Sequence, residues 1–137
     1  MVHVVKIIKY KQRRVAFELG GKKYNARFEG DSAQAREVLK PGVEYPLALT
    51  VDAEGKVDYS DDFKASFRVA KAAEDGDRVA VNGRTWDSIS HEAVALETDP
   101  SVALRLREPQ FATDFRGGSW LVAQGVLCAT LPEDHHD

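Results

Sequence analysis

The chain holds one cysteine, one methionine and five prolines in 137 residues. Cys128 has no second thiol to pair with, so no internal disulfide staples the fold, and a reducing, cytoplasmic setting is expected. No apolar run approaches the roughly 20 residues that cross a bilayer. The opening Met1-Val2-His3-Val4-Val5-Lys6 lacks the basic start and long apolar core of a signal peptide, so no membrane partner is expected. No glycine-rich loop follows a strand and opens a helix, which leaves a nucleotide enzyme without support. Internal repeats, low-complexity tracts and linkers are absent too, so residues 1–131 read as one domain followed by a polar tail at 132–137.

What the chain has is alternation. Arg13 to Phe28 reads as a β-hairpin whose turn is Gly20-Gly21, a pair that supplies the positive φ of a tight two-residue loop. That centring sets Phe17 opposite Tyr24 and Val15 opposite Ala26 on one face, with Glu18 opposite Lys23 and Arg14 opposite Arg27 on the other. A slip of one residue would put the apolar set into water, so the register is strongly specified. Val2 to Tyr10 is apolar at both parities, as suits a strand covered on both faces or one that bends. Asp31 can cap a short helix over Asp31–Lys40, in which Ala35, Val38 and Leu39 share one stripe and Pro41-Gly42 ends it.

Period two then returns at Leu47, Leu49 and Val51, at Val57 and Tyr59 after a turn at Asp52–Gly55, and from Phe63 to Val69. Asn82-Gly83 is a strong type I′ signal and predicts a second hairpin, with Val79 against Trp86 and Arg78 against Asp87. Residues 91–97 read as a strand, as do Val102–Arg107 and Trp120–Leu131. The last of these has Gly125 where it can kink and suits a barrel-closing strand. The expected class is all-β, mainly antiparallel, a small barrel or a sandwich with one short helix. Over residues 2–60 the order strand, hairpin, helix, two strands resembles the OB-fold barrel, in which a helix joins the third and fourth strands; the likeness is one of pattern and not of motif.

The net charge of -3 conceals a split. Lys6, Lys9, Lys11, Arg13, Arg14, Lys22, Lys23 and Arg27 face only Glu18 within residues 1–27, a local +7 that leaves -10 for the rest. Such a split marks either an anion-binding face or a dipolar surface. Trp86–Glu92 is the one stretch that gathers hydroxyl, imidazole and carboxylate, and its spacing matches no catalytic motif. The Asp52–Asp62 acids and His135-His136 match no metal motif. No catalytic residue, metal or cofactor is therefore assigned. Gln110–Gly118 places Phe111, Asp114, Phe115 and Arg116 between proline and glycine hinges, the composition of a binding anchor. The expectation is a non-enzymatic cytoplasmic module that binds another protein through that loop. The alternative is single-stranded nucleic acid held by Lys9, Tyr10, Lys11, Arg14, Lys23 and Arg27.

Overall fold

In the computed structural model, which describes residues 1–132, ten strands and one short helix follow one another. They are β1 Val2–Lys11, β2 Arg14–Leu19, β3 Lys22–Phe28, α1 Ser32–Val38, β4 Glu44–Ala53, β5 Asp58–Tyr59, β6 Ser66–Lys71, β7 Arg78–Ser90, β8 Ala93–Glu97, β9 Val102–Arg105 and β10 Trp120–Thr130, with a 3-10 turn at Ala112–Asp114. From residue 133 on, the predicted tail with His135 and His136 lies outside the described residues.

The β2–β3 hairpin forms in the predicted register, with Gly20 at φ 61° and Gly21 at φ 78° making its turn. β1 explains its own mixed pattern. Val5 and Ile7 point inward, a bulge between Ile7 and Lys9 shifts the parity, and Tyr10 then turns in to meet Phe28 edge to face at 5.4 Å. Asp31 caps α1, its carboxylate accepting from the Ala33 and Gln34 amides at 2.9 and 3.3 Å, and Ala35 and Leu39 are buried.

Eight strands close a barrel in the order β1-β2-β3-β10-β7-β8-β9-β4 and back to β1, with β5 added outside β10 and β6 outside β7. The sheet is mixed, because β3–β10 and β4–β9 are parallel while the other ladders are antiparallel. A further ladder joins β4 to β10, with Leu127 opposite Val51 and Thr130 opposite Ala48. It divides the barrel into two five-membered rings that share β4 and β10.

The rings are built alike. Each half of the chain supplies a three-stranded meander (β1–β3, β7–β9), a helical turn and a final strand. That final strand pairs antiparallel with the first strand of its own half and parallel with the third strand of the other. Arg27 stands beside Cys128 in one parallel ladder as Arg105 stands beside Asp52 in the other. The duplication lies in the pairing and leaves no repeat in the sequence. One apolar core runs through both rings, filled by Phe17, Phe28, Ile7, Leu47 and Leu49 from one half and Leu96, Leu104, Leu121 and Leu127 from the other.

Two expectations are corrected. Asn82-Gly83 makes no turn, since β7 runs unbroken through it. A Cβ at Gly83 would stand 2.3 Å from the Glu97 carbonyl oxygen, so the glycine permits a close strand approach, and the Asn82 amide donates to the carbonyls of Asp62 and Lys64. Val79 consequently faces Gly125 in place of Trp86, and Arg78 binds Asp75 and Glu54 in place of Asp87. Second, the alternation from Phe63 to Val69 yields a strand only from Ser66; Phe67 is its one buried residue, and Phe63 sits exposed before it.

Candidate functional site

Where the two rings meet, the paired parallel ladders bring Arg27 and Arg105 together with Glu29, Asp52 and Cys128. Arg27 Nη2 lies 2.8 Å from Asp52 Oδ2 and 3.3 Å from Glu29 Oε2. Arg105 holds Glu29 in a fork, Nη2 to Oε1 at 2.8 Å and Nη1 to Oε2 at 3.2 Å, and comes within 3.7 Å of Asp52. The Arg105 hydrogen bonds, ahead of the charge of Arg27, hold the Glu29 carboxyl below its ordinary range against the opposing effect of burial. Each of the four charged side chains is about a third exposed, so the cluster is half-sunk.

Burial pushes the Cys128 thiol up to about 12. Its sulfur and the carboxylates of Glu29 and Asp52 lie within 4.8 Å of one another, a spacing open to a metal ion. A metal there would have to displace two guanidiniums and ionise a reluctant thiol, so the donor set does not fit one. Cys128 is accordingly expected to resist a thiol reagent in the native protein at mildly alkaline pH and to react fully once unfolded. Rapid labelling of the native state, followed by mass spectrometry, would show that the thiol is neither buried nor protonated as described.

Beside this cluster, an open cleft of about 710 Å³ runs under the β1–β2 turn, lined by Gln12, Arg13, Arg14, Arg27, Glu29 and Glu74 among others. A smaller one of about 240 Å³ on the outer face of the hairpin gathers Lys9, Lys11 and Arg14 around Ala16 and Asn25, so Arg14 belongs to both. Among the described residues, Lys6, Lys9, Lys11, Arg13, Arg14, Lys22 and Lys23 have no carboxylate partner. Tyr10 offers no stacking surface there, because its ring is turned onto Phe28 and its hydroxyl is 2.8 Å from Ser32 Oγ. Lys23 lies at the far end of the hairpin, opposite Glu18.

The 110–118 loop is pinned at several points. Gln110 bonds both the amide and the carbonyl of Val57 at 2.8 Å, the Ala112 amide donates to His91 O, and Asp114 accepts from the Phe111 amide at 2.8 Å. Phe111 and Phe115, predicted to act together, part company. Phe111 lies 4.8 Å from the His91 ring, whereas Phe115 packs on the core and meets Tyr59 edge to face at 5.6 Å. Arg116 is exposed. Two aromatic residues that the sequence reading did not single out are more open than either. Tyr59 is 60% and Phe63 72% exposed, and Phe63 meets Trp120 at 5.9 Å. Arg105 was missed as well; the β4–β9 pairing sets it beside Asp52, and the pairings of β10 with β3 and β4, equally invisible to local pattern, bring Glu29 to it. No family model, no curated protein and no solved structure matches the chain.

Proposed function

We propose that the protein is a non-enzymatic, cytoplasmic binding module whose partner is another protein, engaged along residues 59–63 and the neighbouring Phe115 and Trp120. The observation that carries this is the exposure of Tyr59 and Phe63, two large rings at either end of a five-residue segment whose neighbours Phe115 and Trp120 already hold them edge to face. Between them, Asp61 and Asp62 have no cationic partner among the described residues. A segment bearing lysine or arginine beside apolar side chains complements that surface. Against catalysis stands the one hydroxyl–imidazole–carboxylate stretch: Ser90 Oγ accepts from the Glu92 amide and the His91 ring faces Phe111, so the two are not aimed at each other.

Tyr59→Ala with Phe63→Ala is expected to weaken capture of the partner by at least about tenfold with the fold intact, since both rings are mostly in water. Phe111→Ala, whose ring lies on His91, is expected to leave capture unchanged. Immobilised wild-type and variant proteins, compared at low and high salt, decide it. Equal retention by the double variant, or capture abolished by salt alone, would refute an aromatic interface.

The run of unpartnered cations on β1–β3 supports a second reading, single-stranded nucleic acid along the outer face of the hairpin through Lys9, Lys11 and Arg14. Its affinity for a labelled oligonucleotide would fall steeply with salt, by counterion release. We also propose that the β1-β2-β3-β10-β4 ring is an OB-type barrel interrupted by β5–β9. Its five strands, and the helix between the third and fourth, support that reading.

A further inference from the structure

The cleft under the β1–β2 turn lies apart from the aromatic surface and shares only Arg14 with the strand reading of the hairpin's outer face. Its turn residues Gln12, φ 53°, and Arg13, φ 61°, are both left-handed. That is the backbone of a two-residue type I′ loop, in which asparagine and glycine rest far more easily than glutamine or arginine. The chain thus keeps two long side chains where its backbone disfavours them, and both are used. The Arg13 guanidinium donates to the Gly30 carbonyl at 3.1 Å, and Gln12 Oε1 accepts from Arg14 at 3.3 Å. Arg14 also donates to the carbonyl of Glu74.

These contacts fix two guanidiniums at the cleft without neutralising them. The carboxylates around it are mostly engaged from behind, Glu29 by Arg105 and Arg27 and Asp75 by Arg78, so Glu74 alone stands free against Arg13 and Arg14. Lys11 and Lys9 continue the positive charge through the smaller cleft that shares Arg14. The opening of about 710 Å³ lies within the usual range for small-molecule sites.

We propose that this cleft binds a phosphate-bearing small molecule of about nucleotide size, its phosphate gripped by Arg13 and Arg14. Planar guanidiniums with unused N–H groups match phosphate oxygens, and two of them give a clamp that a single surface arginine does not.

Isothermal titration of the full chain with pyrophosphate, with metal-free adenosine triphosphate and with a short oligothymidylate tests the proposal. The expected result is saturable binding of pyrophosphate or the triphosphate, weakened about tenfold or more by Arg13→Gly and by Arg14→Gln. Arg13→Gly should meanwhile melt no lower than the wild type, because glycine accepts the left-handed turn. Arg13→Asn, which also tolerates that conformation, repeats the test while keeping a side chain there. Weaker binding in a protein that melts as high or higher identifies a ligand-binding role; a purely structural arginine would lower the melting temperature. The proposal is overturned if neither small anion binds in the millimolar range, or if the variants bind as the wild type does. Binding of the oligothymidylate alone would overturn it as well, since the ligand would then be a strand.

Discussion

Gly125→Ala is expected to unfold the protein or to leave only a weakly stable remnant. A Cβ at that position would stand 2.2 Å from the Asp52 carbonyl oxygen, 2.7 Å from its carbon and 3.0 Å from Ala53 Cα. All three atoms are backbone of β4, one of the two strands both rings share, so no side chain can swing aside to relieve the clash. Separating β4 from β10 disturbs both rings at once. Overpacking in a core costs about 1–3 kcal/mol where side chains can adjust, and a backbone clash should reach at least the upper end. Total stabilities are only about 5–15 kcal/mol, so a large drop in soluble yield and in melting temperature by circular dichroism should follow. Gly55→Ala, with nothing within 4 Å of the new methyl group, provides the neutral control. A Gly125→Ala protein melting within a few degrees of wild type would show that β10 does not press on β4 here.

The second large effect is expected from Glu29→Gln combined with Asp52→Asn, which keeps the shapes of the central cluster and removes both of its negative charges. Arg27 and Arg105 would then face each other, half-buried, without a counterion among the described residues of the cluster. Removing one partner of a fully buried pair costs about 3–5 kcal/mol, and exposed pairs contribute about 0–1 kcal/mol. For groups one-third exposed, a loss of about 2 kcal/mol at neutral pH is expected. The pH dependence separates this from simple mispacking. The Glu29 carboxyl ionises below its ordinary 4.5 in the folded state, so its contribution is complete above that pH and is lost as pH falls through the lower, folded value. Denaturant titrations should therefore show the gap between wild type and variant narrowing in acid. A gap that is constant with pH would mean the charges are not its source.

The parts of this fold that the sequence made legible are those whose cause is local. Gly20-Gly21 imposed one turn geometry and the alternation beside it one register, so every predicted pair from Arg14–Arg27 to Glu18–Lys23 formed. Asp31 capped its helix through the amides two and three residues on. Asn82-Gly83 misled because glycine answers two needs, a left-handed turn and a missing side chain, and a sequence does not say which. The central cluster was half legible. Arg27 and its opposition to Arg14 followed from the hairpin, and Glu29 comes one residue past the end of β3. Asp52 and Arg105 arrive through parallel ladders between distant strands, which no turn residue announces. Nor did the pattern show that Phe63 would lie outside a strand, where its ring stays in water.

The exchange of final strands between the halves bears on when the protein can fold as it is made. β4 finds its parallel neighbour only in β9, and β3 finds its own only in β10, so a chain emerging from the ribosome carries an open edge on β4 until β9 is made and one on β3 until β10 is made. The first half, complete in its own hairpin and helix, cannot close around its core until Thr130 has been added, well over a hundred residues after Val2. Closure is thus set by the last strand to arrive, and until then the nascent chain depends on its charged hairpin face, or on a chaperone, to keep those edges apart from other chains.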